Sequence, residues 1–148
     1  MDINGSSYQD NKIQNAKLNN FMNIHEEKIV SSFIIKEKRH RYRYILDNLK
    51  KRSKGLDRLN HCDDFIQKCT EWLSSNTCIL EILQKENSPK QVYLISDVSE
   101  LDGIMLPLSE AVKAVDMCGF GTIVSCIPGK LAYYYDECSE RRAILRKK

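Results

Sequence analysis

The stretch GTIVSCIPGKLAYYYD, residues 121–136, decides the fold. Its halves GTIVSCI and KLAYYYD are rich in β-branched and aromatic residues and flank Pro128-Gly129, a turn signal, so they predict two antiparallel strands. Pro-Gly favours a type II turn, whose twist suits a tight two-residue hairpin poorly, which leaves a wider bend open. Toward the C-terminus, RRAILRK at 141–147 reads as a further strand. Toward the N-terminus, VYLIS at 92–96 reads as a buried strand that leads through Asp97 to a turn at Leu101-Asp102-Gly103. Between them, Pro107 suits the first turn of a helix that runs to Cys118 and closes on Gly119. Parallel pairing of 92–96 with 121–127 through that helix would be a right-handed crossover.

The first half reads as helical. Ile35, Tyr42, Ile45, Leu46 and Leu49 fall on one side of a 3.6-residue wheel, with Lys36, Arg39, Arg43 and Lys50 gathered beside them. Glu37 with Arg41 and Arg43 with Asp47 stand four apart, a spacing that supports an exposed helix face. Gly55 loosens or ends a second short helical piece. Asp63 and Asp64 before Phe65, Ile66, Cys69, Trp72 and Leu73 read as an N-cap followed by an apolar helical face. The run SSNT at 74–77 interrupts it, and Cys78, Ile79, Ile82 and Leu83 restart the spacing until Ser88-Pro89. The fold class that follows is α+β. A small, mostly antiparallel sheet from the C-terminal half is packed on one face by helices from the N-terminal half.

A chain of 148 residues, 42% of them hydrophobic, supports one core and hence one domain. Residues 1–30 are expected to be a weakly ordered tail, because their Asn, Gln, Ser and Asp offer little surface to bury. A short docking helix around Phe21 and Met22 is the alternative, and residues 31–148 form the domain. The opening MDINGSSYQD has no basic run followed by an apolar one, and no apolar stretch reaches 18 residues. A cytoplasmic protein that does not span a membrane is therefore expected. The six cysteines should be free thiols in a reducing compartment. Their closest pair, Cys62 and Cys69, is too widely spaced for a zinc knuckle, so neither a metal nor a cofactor is expected.

Charge is sharply segregated. Eleven basic and three acidic residues lie between 28 and 60, an excess of eight, whereas five basic and thirteen acidic residues lie between 61 and 140. Such a basic block attracts phosphate backbones, unless it is a solvated surface or folds against the acidic half. The residues that would contact RNA, DNA or an acidic protein are Lys36, Arg39, Arg43, Lys50, Lys51, Arg52 and Lys54, with Tyr44 able to stack on a base.

Candidate chemistry is sparse. His61-Cys62-Asp63-Asp64 is the densest ionisable cluster, and a histidine beside carboxylates can serve as an acid or base; the same residues also suit a helix start. Ser125 and Cys126 precede the Pro128-Gly129 bend, but adjacent strand residues face opposite sides, so at most one shares the core. Cys126 is either packed or paired with a distant His40 or His61. The Gly129-Lys130 pair fails as a phosphate loop, with Val124 where a glycine is needed and Leu131 in place of Ser or Thr. Tyr133, Tyr134 and Tyr135 read most simply as alternating core and surface rings of a strand; the alternative is an exposed Tyr134 that contributes, beside Lys130, to a partner surface.

The strings FIIKEKRHRY at 33–42, VYLISD at 92–97, LDG at 101–103 and GTIVSCIPGKLAYYYDE at 121–137 resemble a group of small uncharacterised bacterial proteins. The resemblance spans residues 33–148 and implies a bacterial, cytoplasmic, single-domain protein without an assigned activity. Three function classes remain. The first is an interaction or regulatory protein whose basic helices meet an anionic partner. The second is a protein-binding inhibitor, such as an immunity or anti-defence protein. The third is a small enzyme using His61 with Asp63 or Asp64, or using Cys126.

Overall fold

A computed structural model of the protein describes residues 24–118, 120–136 and 141–147. Six strands form one sheet: β1 (Thr70–Leu73), β2 (Gln91–Ser96), β3 (Met105–Pro107), β4 (Thr122–Ile127), β5 (Leu131–Tyr135) and β6 (Arg142–Arg146). Their order across the sheet is β1-β6-β5-β4-β2-β3, and every neighbouring pair is antiparallel. The helices are α1 (24–33), α2 (Lys36–Asp47), α3 (Leu49–Gly55), α4 (Ile79–Lys85) and α5 (Leu108–Cys118).

The central hairpin forms where the sequence places it. Lys130 N–H donates to Ile127 O at 2.9 Å, with Pro128 and Gly129 at the turn centre and Gly129 at φ 74°. The register shifts between Ser125 and Ile127, and that irregularity lets a Pro-Gly turn join two twisted strands. The strands at 92–96 and 141–147 and the helix ending at Cys118 also form; Gly119, its expected closing residue, lies outside the described residues.

Both faces of the sheet are covered, where the sequence suggests one. Alternation sends Tyr93, Ile95, Ile123, Ala132, Tyr134, Ala143 and Leu145 to the side of α1 and α2, where they meet Ile29, Phe33, Tyr42 and Ile45. It sends Val92, Leu94, Val124, Leu131, Tyr133 and Ile144 to the side of α4 and α5, against Leu83, Ala111 and Val115. Tyr134 is therefore fully buried instead of lying on a partner surface, and its hydroxyl donates to Leu59 O.

Three further expectations change. Residues 63–73 are not a helix: an extended segment and a short 3₁₀ turn at Gln67–Cys69 lead into β1, which pairs with β6 at the sheet edge. The ordered domain begins before residue 31, because α1 buries His25, Glu26, Ile29 and Val30; Phe21 and Met22 lie outside the described residues. Finally, 92–96 and 121–127 pair antiparallel. The added strand β3 reverses the chain beside β2, so α5 carries it over β2 into β4.

Candidate nucleic-acid interface

Local sequence builds the basic surface. Asn48, at φ −119° and ψ 105°, breaks the helical run, and its side chain accepts from the backbone N–H groups of Lys50 and Lys51 at 3.0 and 3.3 Å. It thus ends α2 and N-caps α3. On α2 the residues Tyr42, Ile45 and Leu46 are buried, and Lys36, Glu37, His40, Arg41, Tyr44 and Asp47 are exposed. On α3 the exposed residues are Lys50, Lys51, Ser53 and Lys54, and Gly55 lies so close to Ile45 that a Cβ there would sit 2.5 Å from its side chain.

The arginines and lysines of this segment part company. Arg52 is only 13% exposed. Its Nε donates to Asp102 Oδ2 at 2.5 Å, Nη2 donates to Glu26 Oε2 at 2.6 Å and Asp102 Oδ1 at 2.9 Å, and Nη1 donates to Leu46 O at 3.2 Å. Tyr93 Oη also donates to Glu26 Oε2, and Ser96 N–H donates to Asp102 Oδ1, so the guanidinium locks α1, α3 and β2 together. Burial works to depress its pKa, but the bonds to Asp102 and Glu26 outweigh burial and hold it above the usual arginine value. Arg43 makes a forked contact with Glu27 at 3.0–3.2 Å, and Arg39 Nε donates to Ile34 O at 2.9 Å across the α1–α2 corner.

Lys36, Tyr44, Lys50, Lys51 and Lys54 stay outward, joined by His40 and Arg41. The last two share the face of Lys36 and Tyr44 through spacings of three and four, a helical signal already present in the sequence. Among the described residues none of Lys36, Arg41, Lys50, Lys51 and Lys54 forms an ion pair.

The His61 corner is organised differently from its sequence reading. His61 adopts a left-handed φ of 59°, is exposed, and approaches Asp136 at 3.9 Å instead of Asp63 or Asp64. Asp64 accepts from Tyr42 Oη at 2.8 Å, and its carbonyl accepts from Ile35 N–H, so it anchors the start of α2. Asp63 is exposed and meets Arg141 at 3.3 Å; Arg141 also reaches the buried Asp136 and lies 4.2 Å from the Trp72 ring centroid. Asp63, Arg141 and Trp72 line a cleft of about 400 Å³ with Phe65 and Thr70. Neither Trp72 nor Arg141 was legible as a neighbour of this corner, because β1 acquires its place only by pairing with β6.

Burial pushes the Cys62 thiol up to about 11 and the Cys126 thiol up to about 11. Both are thus poor nucleophiles at neutral pH. Cys126 faces the α4–α5 side, whereas Ser125 faces α1 and lies 2.7 Å from His25 Nδ1. Cys62, Cys69, Cys78, Cys118 and Cys126 are free thiols. Among the described residues no three His, Cys, Asp or Glu side chains gather to hold a metal ion, and no helix is long and apolar enough to cross a membrane.

No family model, curated protein or solved structure matches the chain.

Proposed function

We propose that this protein is a non-enzymatic binding or regulatory protein that engages a phosphate-bearing polymer, RNA or DNA, through the outward face of α2 and α3. The observation that supports this reading is the sorting of charge. Arg43 and Arg52 are taken by carboxylates, while Lys36, Arg41, Lys50, Lys51 and Lys54 are exposed and form no ion pair among the described residues. Exposed, mobile ammonium groups neutralise phosphates and release counterions, which gives affinity without a shaped pocket. Lys54 lies one turn from both Lys50 and Lys51, on a helix without an acidic residue of its own. The protein is proposed to work in a reducing cytoplasm, where its thiols persist.

An enzyme built on His61 has less support. Its imidazole faces a buried carboxylate already shared with Arg141 and Tyr134, and His61 does not line the neighbouring cleft. The buried thiol of Cys126 contacts Val124 O and makes no histidine contact among the described residues.

The test is fluorescence anisotropy of a labelled 20-nucleotide strand with the full chain across a salt series. Five phosphate contacts predict a loss of affinity of about a hundred-fold between 50 and 200 mM salt, from a slope of about −0.7 per contact. Binding that ignores salt, or no binding at 50 mM, would overturn the proposal.

A further inference from the structure

Tyr44 differs from the other tyrosines placed on the helices and strands. The hydroxyls of Tyr42, Tyr93, Tyr133 and Tyr134 are tied to Asp64, Glu26, Asp116 and Leu59 O, and their rings are buried. Tyr135 is half-buried. Tyr44 alone among these is exposed, at 53%, with no hydroxyl bond among the described residues. Its neighbours on the helix surface are His40 four residues before it and Arg41 three before, with Lys36 a further turn away. An aromatic face is thus presented to solvent beside an imidazole and the two cations Arg41 and Lys36, which is the composition of a stacking platform for a nucleobase.

The same face also carries Glu37 and Asp47, both exposed. Two carboxylates among the cations oppose a duplex, whose backbone bears one charge per about 1.7 Å of axis. A duplex also keeps its bases stacked on each other, so a ring on the outside of a helix meets no free base face without costly unstacking. A single strand has lower charge density and turns its bases outward, where they can stack on an aromatic ring.

Building on the proposed anionic role of this face, we infer that the partner is a single-stranded nucleic acid. One base rests on Tyr44, and phosphates on either side meet Lys36 and Arg41, and Lys50, Lys51 and Lys54. Stacking on one ring accepts any base, because every base has a π-face, so recognition is of single-strandedness more than of sequence.

The experiment uses the full chain with three probes: a labelled 20-nucleotide single strand, its duplex form, and inorganic polyphosphate as a base-free competitor. The single strand is expected to bind at least about ten-fold more tightly than the duplex. Tyr44→Ala should weaken single-strand binding on the order of ten-fold, Tyr44→Phe should retain it, and neither should alter competition by polyphosphate. Because Tyr44 is exposed, unchanged circular dichroism and unfolding midpoints will show that both variants fold. Equal binding of duplex and single strand, or a Tyr44→Ala variant that binds like the parent or loses polyphosphate equally, overturns the single-strand inference and leaves the anion-binding face standing. Failure of all three probes to bind, or binding untouched by Lys50→Glu with Lys51→Glu and Lys54→Glu, overturns the anion-binding reading itself.

Discussion

Lys51 and Arg52 are neighbours in the chain and opposites in environment. Lys51 points into solvent, whereas Arg52 is enclosed by Glu26, Asp102 and the carbonyl of Leu46. A planar, permanently charged fork matches two carboxylates at once, while an ammonium group on a flexible stem keeps its hydration shell more readily. The basic block of residues 28–60 therefore divides into an inner seam that holds helices to the sheet and an outer set of exposed cations that form no ion pair among the described residues. Charge counted along a chain becomes function only after the part spent on folding has been removed.

The strongest way to break this comparison is at its inner half. Arg52→Met should destabilise the fold by about 3–5 kcal/mol, because the buried Glu26 and the partly buried Asp102 would be left without their cation. Lys51→Met should change stability by no more than about 0.5 kcal/mol. Urea unfolding midpoints of the two variants check this, and equal effects would dissolve the distinction between seam and face.

The outer half is tested by the reverse pattern. Changing Lys50, Lys51 and Lys54 together to Glu should reduce affinity for a single strand by about a hundred-fold at 100 mM salt. The unfolding midpoint should stay near the parent's, since α3 is already N-capped by Asn48 and tied down by Arg52. Anisotropy and urea unfolding on the same preparation measure both quantities.

Burial sharpens the contrast through thiol reactivity. With Cys62 and Cys126 pushed up to about 11, their thiolate fraction near pH 8 is about a hundred-fold below that of an ordinary cysteine. Iodoacetamide followed by mass spectrometry should modify the exposed Cys78 well before either. Cys126 reacting as fast as Cys78 would reopen its candidacy as a nucleophile.

The smallest expected effect concerns His25, whose ring stacks on Tyr93 and bonds Ser125 at the α1 end of the inner seam. Burial lowers its pKa below the ordinary value, so the folded protein takes up this proton less readily than the unfolded chain. Its stabilising contribution is complete above about pH 6.5 and declines as pH falls through that value toward the folded one. Unfolding midpoints at pH 7.5 and 5.5 should therefore differ less in His25→Gln than in the parent.

How much of this was legible followed from the range of each interaction. The hairpin around Pro128-Gly129, the strand at 92–96 and the helix after Pro107 carry their own turn and alternation signals, and all three form. β1 does not carry such a signal. Asp63-Asp64 followed by Phe65, Cys69 and Trp72 matches a capped helix, yet the four residues TEWL become a strand because β6 offers an edge. β3 is three residues long and ends in proline, too short to alternate visibly. The candidate interface was half legible. Lys36, Tyr44 and the α3 lysines follow from helix periodicity, but Arg52 left the set through Glu26 and Asp102, which lie 26 and 50 residues away.

The most direct test of the central claim is the salt slope of single-strand binding before and after removal of the three lysines of α3. Replacing Lys50, Lys51 and Lys54 with alanine should flatten the slope of log affinity against log salt by about two, from three lost phosphate contacts at about 0.7 each. An unchanged slope, or a parent protein that does not bind the strand at low salt, would contradict the account.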